Sequence, residues 1–125
     1  MELKEATEAI RREAEALTEG CAEFLRDLIR IPAESCGEGA RVERIKKEIV
    51  ASGFDAAEVD ALGSVIGRVG EGATKIVCDG HVDQVGVGDR EAWTVDPFAA
   101  VLEDGVIYGR GASDQLGGVA AAVYG

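Results

Sequence analysis

The spacing of apolar residues changes at Gly53, and that change limits the fold more than any other feature of the chain. Before it, the period is helical. Ile10, Ala14, Leu17, Cys21, Phe24, Leu25 and Leu28 fall three, four or seven apart and predict one long amphipathic helix over residues 2–30. Pro32 ends it, because the residue before a proline is pushed out of the helical region. Residues 32–39 read as a loop. A second helix is predicted from about Glu38 to Ser52, with Val42, Ile45 and Ile49 on one face and Gly53 as its C-cap. After Gly53 the apolar runs are short and rich in Val and Ile: Phe54–Val59, Ser64–Val69 and Lys75–Val82. Of these, Lys75-Ile76-Val77-Cys78 is the expected central strand. Ala99–Leu102 and Val106–Tyr108 flank Glu103-Asp104-Gly105, a hairpin signal. Gln115–Tyr124 is helical again. Helices, strands, hairpin and helix in that sequence predict an α/β fold.

The length, 125 residues, suits one domain or part of one. The chain carries 13 Lys+Arg against 24 Asp+Glu, a net charge of -11, which disfavours nucleic acid and anionic membrane surfaces as partners. The charge is uneven. Residues 1–50 hold 9 basic and 12 acidic side chains, a net of -3, and residues 51–125 hold 4 and 12, a net of -8. The second stretch is where unpaired carboxylates gather, which suits a cation and suits a plain solvated surface equally. Cys21, Cys36 and Cys78 are odd in number and contain no C-x-x-C pair, so reduced thiols and a cytoplasmic setting are expected. No signal peptide and no apolar run of membrane-spanning length is present in the sequence. Gly125 falls in mid-helix by pattern, after the apolar Val119–Tyr124, so a continuation of the domain is expected.

Two constellations could carry chemistry. His81-Val82-Asp83 closes the expected central strand, where residues i and i+2 face the same way. An imidazole and a carboxylate would then project together from the C-terminal end of a strand, the place where ligands bind in open α/β sheets. A histidine on a surface loop is the plainer reading. The second is Tyr108-Gly109-Arg110-Gly111-Ala112-Ser113-Asp114-Gln115, a strand running into a glycine-rich turn and an acid where a helix begins. Asp114 suits an N-cap, and it equally suits a carboxylate aimed at a cation. The turn is no phosphate loop, because it lacks the lysine and the third glycine that such loops need.

Taken in order, Asp79-Gly80-His81-Val82-Asp83, Trp93…Asp96-Pro97-Phe98, the hairpin and Gly109–Asp114 resemble the dizinc metallopeptidase and amidohydrolase family. That family includes acetylornithine deacetylase, succinyl-diaminopimelate desuccinylase, aminoacylase and the glutamate carboxypeptidases. The likeness extends upstream to Phe24–Leu28, Ile31-Pro32 and Glu34-Ser35. Glu34-Ser35-Cys36, Gly86-Val87-Gly88 and Ser113-Asp114-Gln115 look most like its YgeY-type branch.

The resemblance implies a three-layer α/β catalytic domain with a mostly parallel central sheet, of which residues 1–125 would be the N-terminal portion. It implies His81 as a ligand to one metal, Asp83 as the catalytic-site partner that fixes the His81 tautomer, and Asp114 as a bridge between two zinc ions, with cobalt or manganese as possible replacements. The activity implied is hydrolysis of the amide bond in a small peptide or N-acyl amino acid. The sequence departs from the family at Leu116, where many members have lysine. The paired glutamates that supply the family's general base, and its further ligands, are absent, and His81 is the only histidine. The expected behaviour of this chain alone is therefore weak zinc binding and no hydrolysis. A different class stays open: a non-catalytic remnant whose exposed strand edges lead to self-association. Among the remaining residues, Trp93 is expected to pack beneath the site, Arg110 to tie the turn together, and Cys78 to lie in the core.

Overall fold

The computed structural model describes residues 2–125. Helix α1 spans Leu3–Ile29 and α2 spans Gly39–Ala51. Strands β1 (Ala56–Val59) and β2 (Val65–Arg68) form an antiparallel pair, as do β3 (Val101–Glu103) and β4 (Val106–Tyr108). Helix α3 spans Gly117–Tyr124. The two helices, the first two strands, the hairpin and the last helix follow the order that the periodicity predicts, save the strand expected over Lys75–Val82.

Local chemistry explains the boundaries. Helix α1 stops at Arg30, two residues ahead of Pro32. Helix α2 ends in a paired C-cap. The Gly53 N–H bonds the Val50 carbonyl, the Phe54 N–H bonds the Ile49 carbonyl, and Gly53 takes φ +79°. In the second hairpin Glu103 faces Val106, so the loop has two residues, Asp104 and Gly105, both with positive φ. Such a turn matches the twist of the strands it joins.

The core gathers Phe24, Leu28 and Ile29 of α1, Ile45 and Ile49 of α2, and Ala100, Leu116 and Ala120 from the last third of the chain. Each large apolar side chain buried there contributes about 1.5–3 kcal/mol. The buried stripe of α1 is shorter than its apolar periodicity. It begins near Cys21, while Ile10 and Leu17 are exposed because, among the described residues, no other element lies against the first half of the helix.

The expected central strand Lys75–Val82 is not formed. A central strand needs a hydrogen-bonded neighbour on each side, and among the described residues none runs beside this segment. Ile76 and Val77 consequently stand 89% and 84% exposed. Cys78 is exposed rather than in the core, for the same reason. The strands that do form make two separate antiparallel pairs, and the one parallel contact among the described residues is the single bridge between Glu34 and Gln84. The architecture is that of helices with small antiparallel sheets, part of an α/β arrangement.

Candidate functional site

The segment His81–Gln84 is held in place although it is not a strand. The holder is Arg41 of α2, which is fully buried. Its guanidinium donates to the carbonyls of Leu28 at 3.1 Å, Ile31 at 2.5 Å and Val82 at 2.6 Å, and to Oε1 of Gln84 at 2.6 Å. Burial pushes its pKa below the ordinary guanidinium value, opposed by the charges of Asp83 and Glu38. The Gln84 N–H bonds the Ala33 carbonyl at 2.9 Å. One buried cation thus fastens the end of α1, the loop after it and the His81 segment together.

Asp114 arrives on the turn after β4. Leu116 is buried in the core, its N–H bonds the Gly111 carbonyl at 2.9 Å, and Gly111 takes φ +81°. The peptide between Asp114 and Gln115 is cis. Gln115 accepts a hydrogen bond from the His81 N–H at 3.2 Å. A Cβ at position 80 would lie 2.8 Å from the Gln115 amide oxygen, so a larger residue there would displace that side chain.

These two anchorages bring His81, Asp83 and Asp114 together. Nδ1 of His81 lies 3.1 Å from Oδ1 of Asp83 and 3.2 Å from the Asp83 carbonyl. Nε2 lies 2.9 Å from Oδ1 of Asp114. Ser35 donates to the other oxygen of Asp83 at 2.5 Å. The Asp114 bond and, with it, the charges of both carboxylates raise the His81 pKa. The Ser35 bond, joined by His81, lowers that of Asp83. The group is open to solvent, with the Asp114 side chain 89% exposed. It lines a cleft of about 250 Å³ with Arg110, Gly111 and Ser113. That is below the range of about 300–1,000 Å³ usual for a small-molecule site.

Imidazole and carboxylate are donors that suit zinc, cobalt or manganese alike. Their number is short, since zinc normally takes three or four protein ligands. Among the described residues no three His, Cys, Asp or Glu side chains converge as a metal site. The types fit the group and the count does not.

Trp93 donates its indole N–H to the Val87 carbonyl at 2.9 Å, and Arg110 lies over its ring at 5.0 Å. Arg110 therefore braces the turn through this stacking contact, while its Nε has no hydrogen-bond partner. Sequence reasoning missed Arg41 and Gln84, and named Ser35 and Gln115 without giving either a task. A signal existed for Arg41: it stands four residues before Ile45 and eight before Ile49, on the apolar face of α2. A charge in that stripe marks a buried cation with carbonyls to satisfy.

Residues 77–125 match Peptidase family M20/M25/M40. Over 101 residues the chain is 46% identical to the uncharacterized protein YgeY of Escherichia coli K12, spanning 81% of this chain and 25% of that protein. It is 42% identical over 101 residues to a succinyl-diaminopimelate desuccinylase of Cereibacter sphaeroides, spanning 78% of this chain and 27% of the relative. The corresponding enzyme of Rhodospirillum centenum is 35% identical over 105 residues, with the same coverage. The chain therefore spans about a quarter of the length of the curated relatives it matches. No helix among the described residues is long and apolar enough to cross a membrane.

Proposed function

With residues 77–125 matching Peptidase family M20/M25/M40, we propose that this chain is the N-terminal portion of a catalytic domain that hydrolyses the amide bond of a small peptide or N-acyl amino acid. The observation that carries the reading is His81 set between two carboxylates, with Asp83 on Nδ1 and Asp114 on Nε2. In this reading the complete domain is a three-layer α/β unit. Its mostly parallel central sheet takes in the exposed Lys75–Val82 segment, and its setting is cytoplasmic.

In this reading His81, through Nε2, and Asp114 would hold the metal. A zinc held there would supply Lewis acidity. The chain's own contribution is orientation. Asp83 is ionised and can only accept, so it keeps a proton on Nδ1 and leaves the Nε2 lone pair free to ligate. Arg41 holds the backbone between these two residues through the Val82 carbonyl. Gln115, through the His81 N–H, fixes the distance to the Asp114 turn. Residues 1–125 hold no second histidine to complete such a ligand set.

A chimera tests the reading. The chain replaces the matching quarter of the Cereibacter sphaeroides desuccinylase, and release of succinate is followed in the presence of zinc. The expected result is hydrolysis by the chimera, loss of at least a hundredfold with His81→Ala or Asp114→Asn, and neither hydrolysis nor sub-micromolar zinc binding by the chain alone. A folded chimera whose activity survives His81→Ala would overturn it.

The exposure of Ile76 and Val77 favours a second reading for the isolated chain. Their segment offers unpaired backbone and apolar side chains to another strand, so the chain self-associates as a non-catalytic protein. Sedimentation at micromolar concentration should show dimers or larger species, reduced by Val77→Lys. A folded monomer would refute it.

A further inference from the structure

Ser35 lies in a segment that the sequence singles out and to which the proposed chemistry assigns no role. The backbone around it is shaped to present it. The loop after α1 lies alongside the residues that follow Asp83, through the Gln84 N–H to the Ala33 carbonyl and the parallel bridge of Glu34 with Gln84. The loop then turns at once. The Gly37 N–H bonds the Glu34 carbonyl at 2.8 Å, and the Cys36 N–H bonds Oε1 of Glu38 at 2.9 Å. Cys36 takes φ +72°, a left-handed conformation that side chains other than glycine's adopt at a cost. The turn leaves Oγ of Ser35 2.5 Å from Oδ2 of Asp83.

A carboxylate rotates about its Cβ–Cγ bond unless both oxygens are engaged. Here one oxygen is taken by Ser35 and the other faces Nδ1 of His81. The neutral imidazole has one ring proton, and two carboxylates compete for it, Asp83 at Nδ1 and Asp114 at Nε2. We propose that Ser35 is a positioning residue: by holding Oδ2 of Asp83 it keeps Oδ1 on His81, the ring proton on Nδ1, and the Nε2 lone pair on the side of Asp114. The inference rests on the reading of His81 as a ligand through Nε2. Donation by the hydroxyl also drains some charge from Asp83, which by itself favours Asp114. Orientation and charge withdrawal therefore predict opposite signs.

His81 is the only histidine, so its ring gives a single set of signals in a long-range ¹H–¹⁵N correlation spectrum. The metal-free chain is measured at a pH where the ring is neutral. In the parent chain the Nδ1–H tautomer should dominate. Ser35→Ala should lower the ratio of Nδ1–H to Nε2–H by roughly threefold to tenfold, the Asp83 carbonyl retaining part of the preference. Ser35→Thr, which keeps the hydroxyl, should restore it. Should Ser35→Ala not fold, Ser35→Cys, with a weaker donor, carries the same expected direction. An unchanged ratio beside an altered melting temperature overturns the role, since Ser35 would then be structural only. A ratio that rises overturns it too, since charge withdrawal would outweigh orientation. The measurement needs neither zinc nor substrate, so its failure strikes Ser35 alone, whereas an inactive chimera strikes the hydrolase reading alone.

Discussion

The corner where α1, α2 and α3 meet and the segment that carries His81 are built on opposite plans. In the corner every strong group is met by another. Phe24 is buried, with Arg44 over its face at 4.8 Å and the Tyr124 ring at 6.1 Å. Arg44 pairs with Asp27 and Glu48, and the Tyr124 hydroxyl donates to Glu48 at 2.5 Å. Around His81 the packing side chains are few. The segment is held by backbone carbonyls and a buried arginine, its upstream half is open, and its charged groups face solvent. Stability and chemistry are kept apart. A site of the proposed kind, which would admit metal and substrate, cannot be shut inside its own core, so it would draw on the part of the molecule that costs least to leave open.

The largest expected effect separates the two regions directly. Phe24→Ala should lower the free energy of unfolding by about 3–5 kcal/mol, from lost burial and the cavity left behind. Under the same urea titration His81→Ala should leave the midpoint unchanged. Equal losses would mean that the site is part of the core after all.

A smaller effect sharpens the comparison with pH. The bond to Glu48, joined by burial, pushes the Tyr124 pKa up to about 12, above the ordinary phenol value of about 10. Between those values the folded chain binds the phenolic proton and the unfolded chain does not. The bond's contribution is therefore present below pH 10 and is lost as pH rises toward 12. Tyr124→Phe should cost about 1 kcal/mol at neutral pH and should remove that part of the alkaline slope. A slope that survives the substitution would place the titrating group elsewhere.

The helical corner was largely legible in the sequence because its signals are local. The stripe through Phe24, Leu25 and Leu28, the Pro32 stop, the Gly53 cap and the Asp104-Gly105 turn each need only a few neighbouring residues to act. The site was legible in part. Asp79–Asp83 and Gly109–Asp114 name the residues that meet, although the physical link between them, Gln115 to the His81 backbone, depends on a turn geometry that sequence spacing does not reveal. The Lys75–Val82 strand failed for a complementary reason. Its residues prefer extended pairing, but pairing is a property of two segments, and among these residues no second one lies beside it. Likewise the period of α1 predicts which face is apolar and says nothing about how much of that face is covered. Ile10 and Leu17 therefore read as core and stand in solvent.

The contact between Phe24 and Tyr124 spans a hundred positions of the chain. During synthesis at about 5–20 residues per second, the apolar end of α1 would wait roughly 5–20 s before its last partner is made. The corner is thus completed only after the intervening hundred residues have been made. Until then, Phe24 and its neighbours are the surface that a chaperone or a second ribosome's product would meet first.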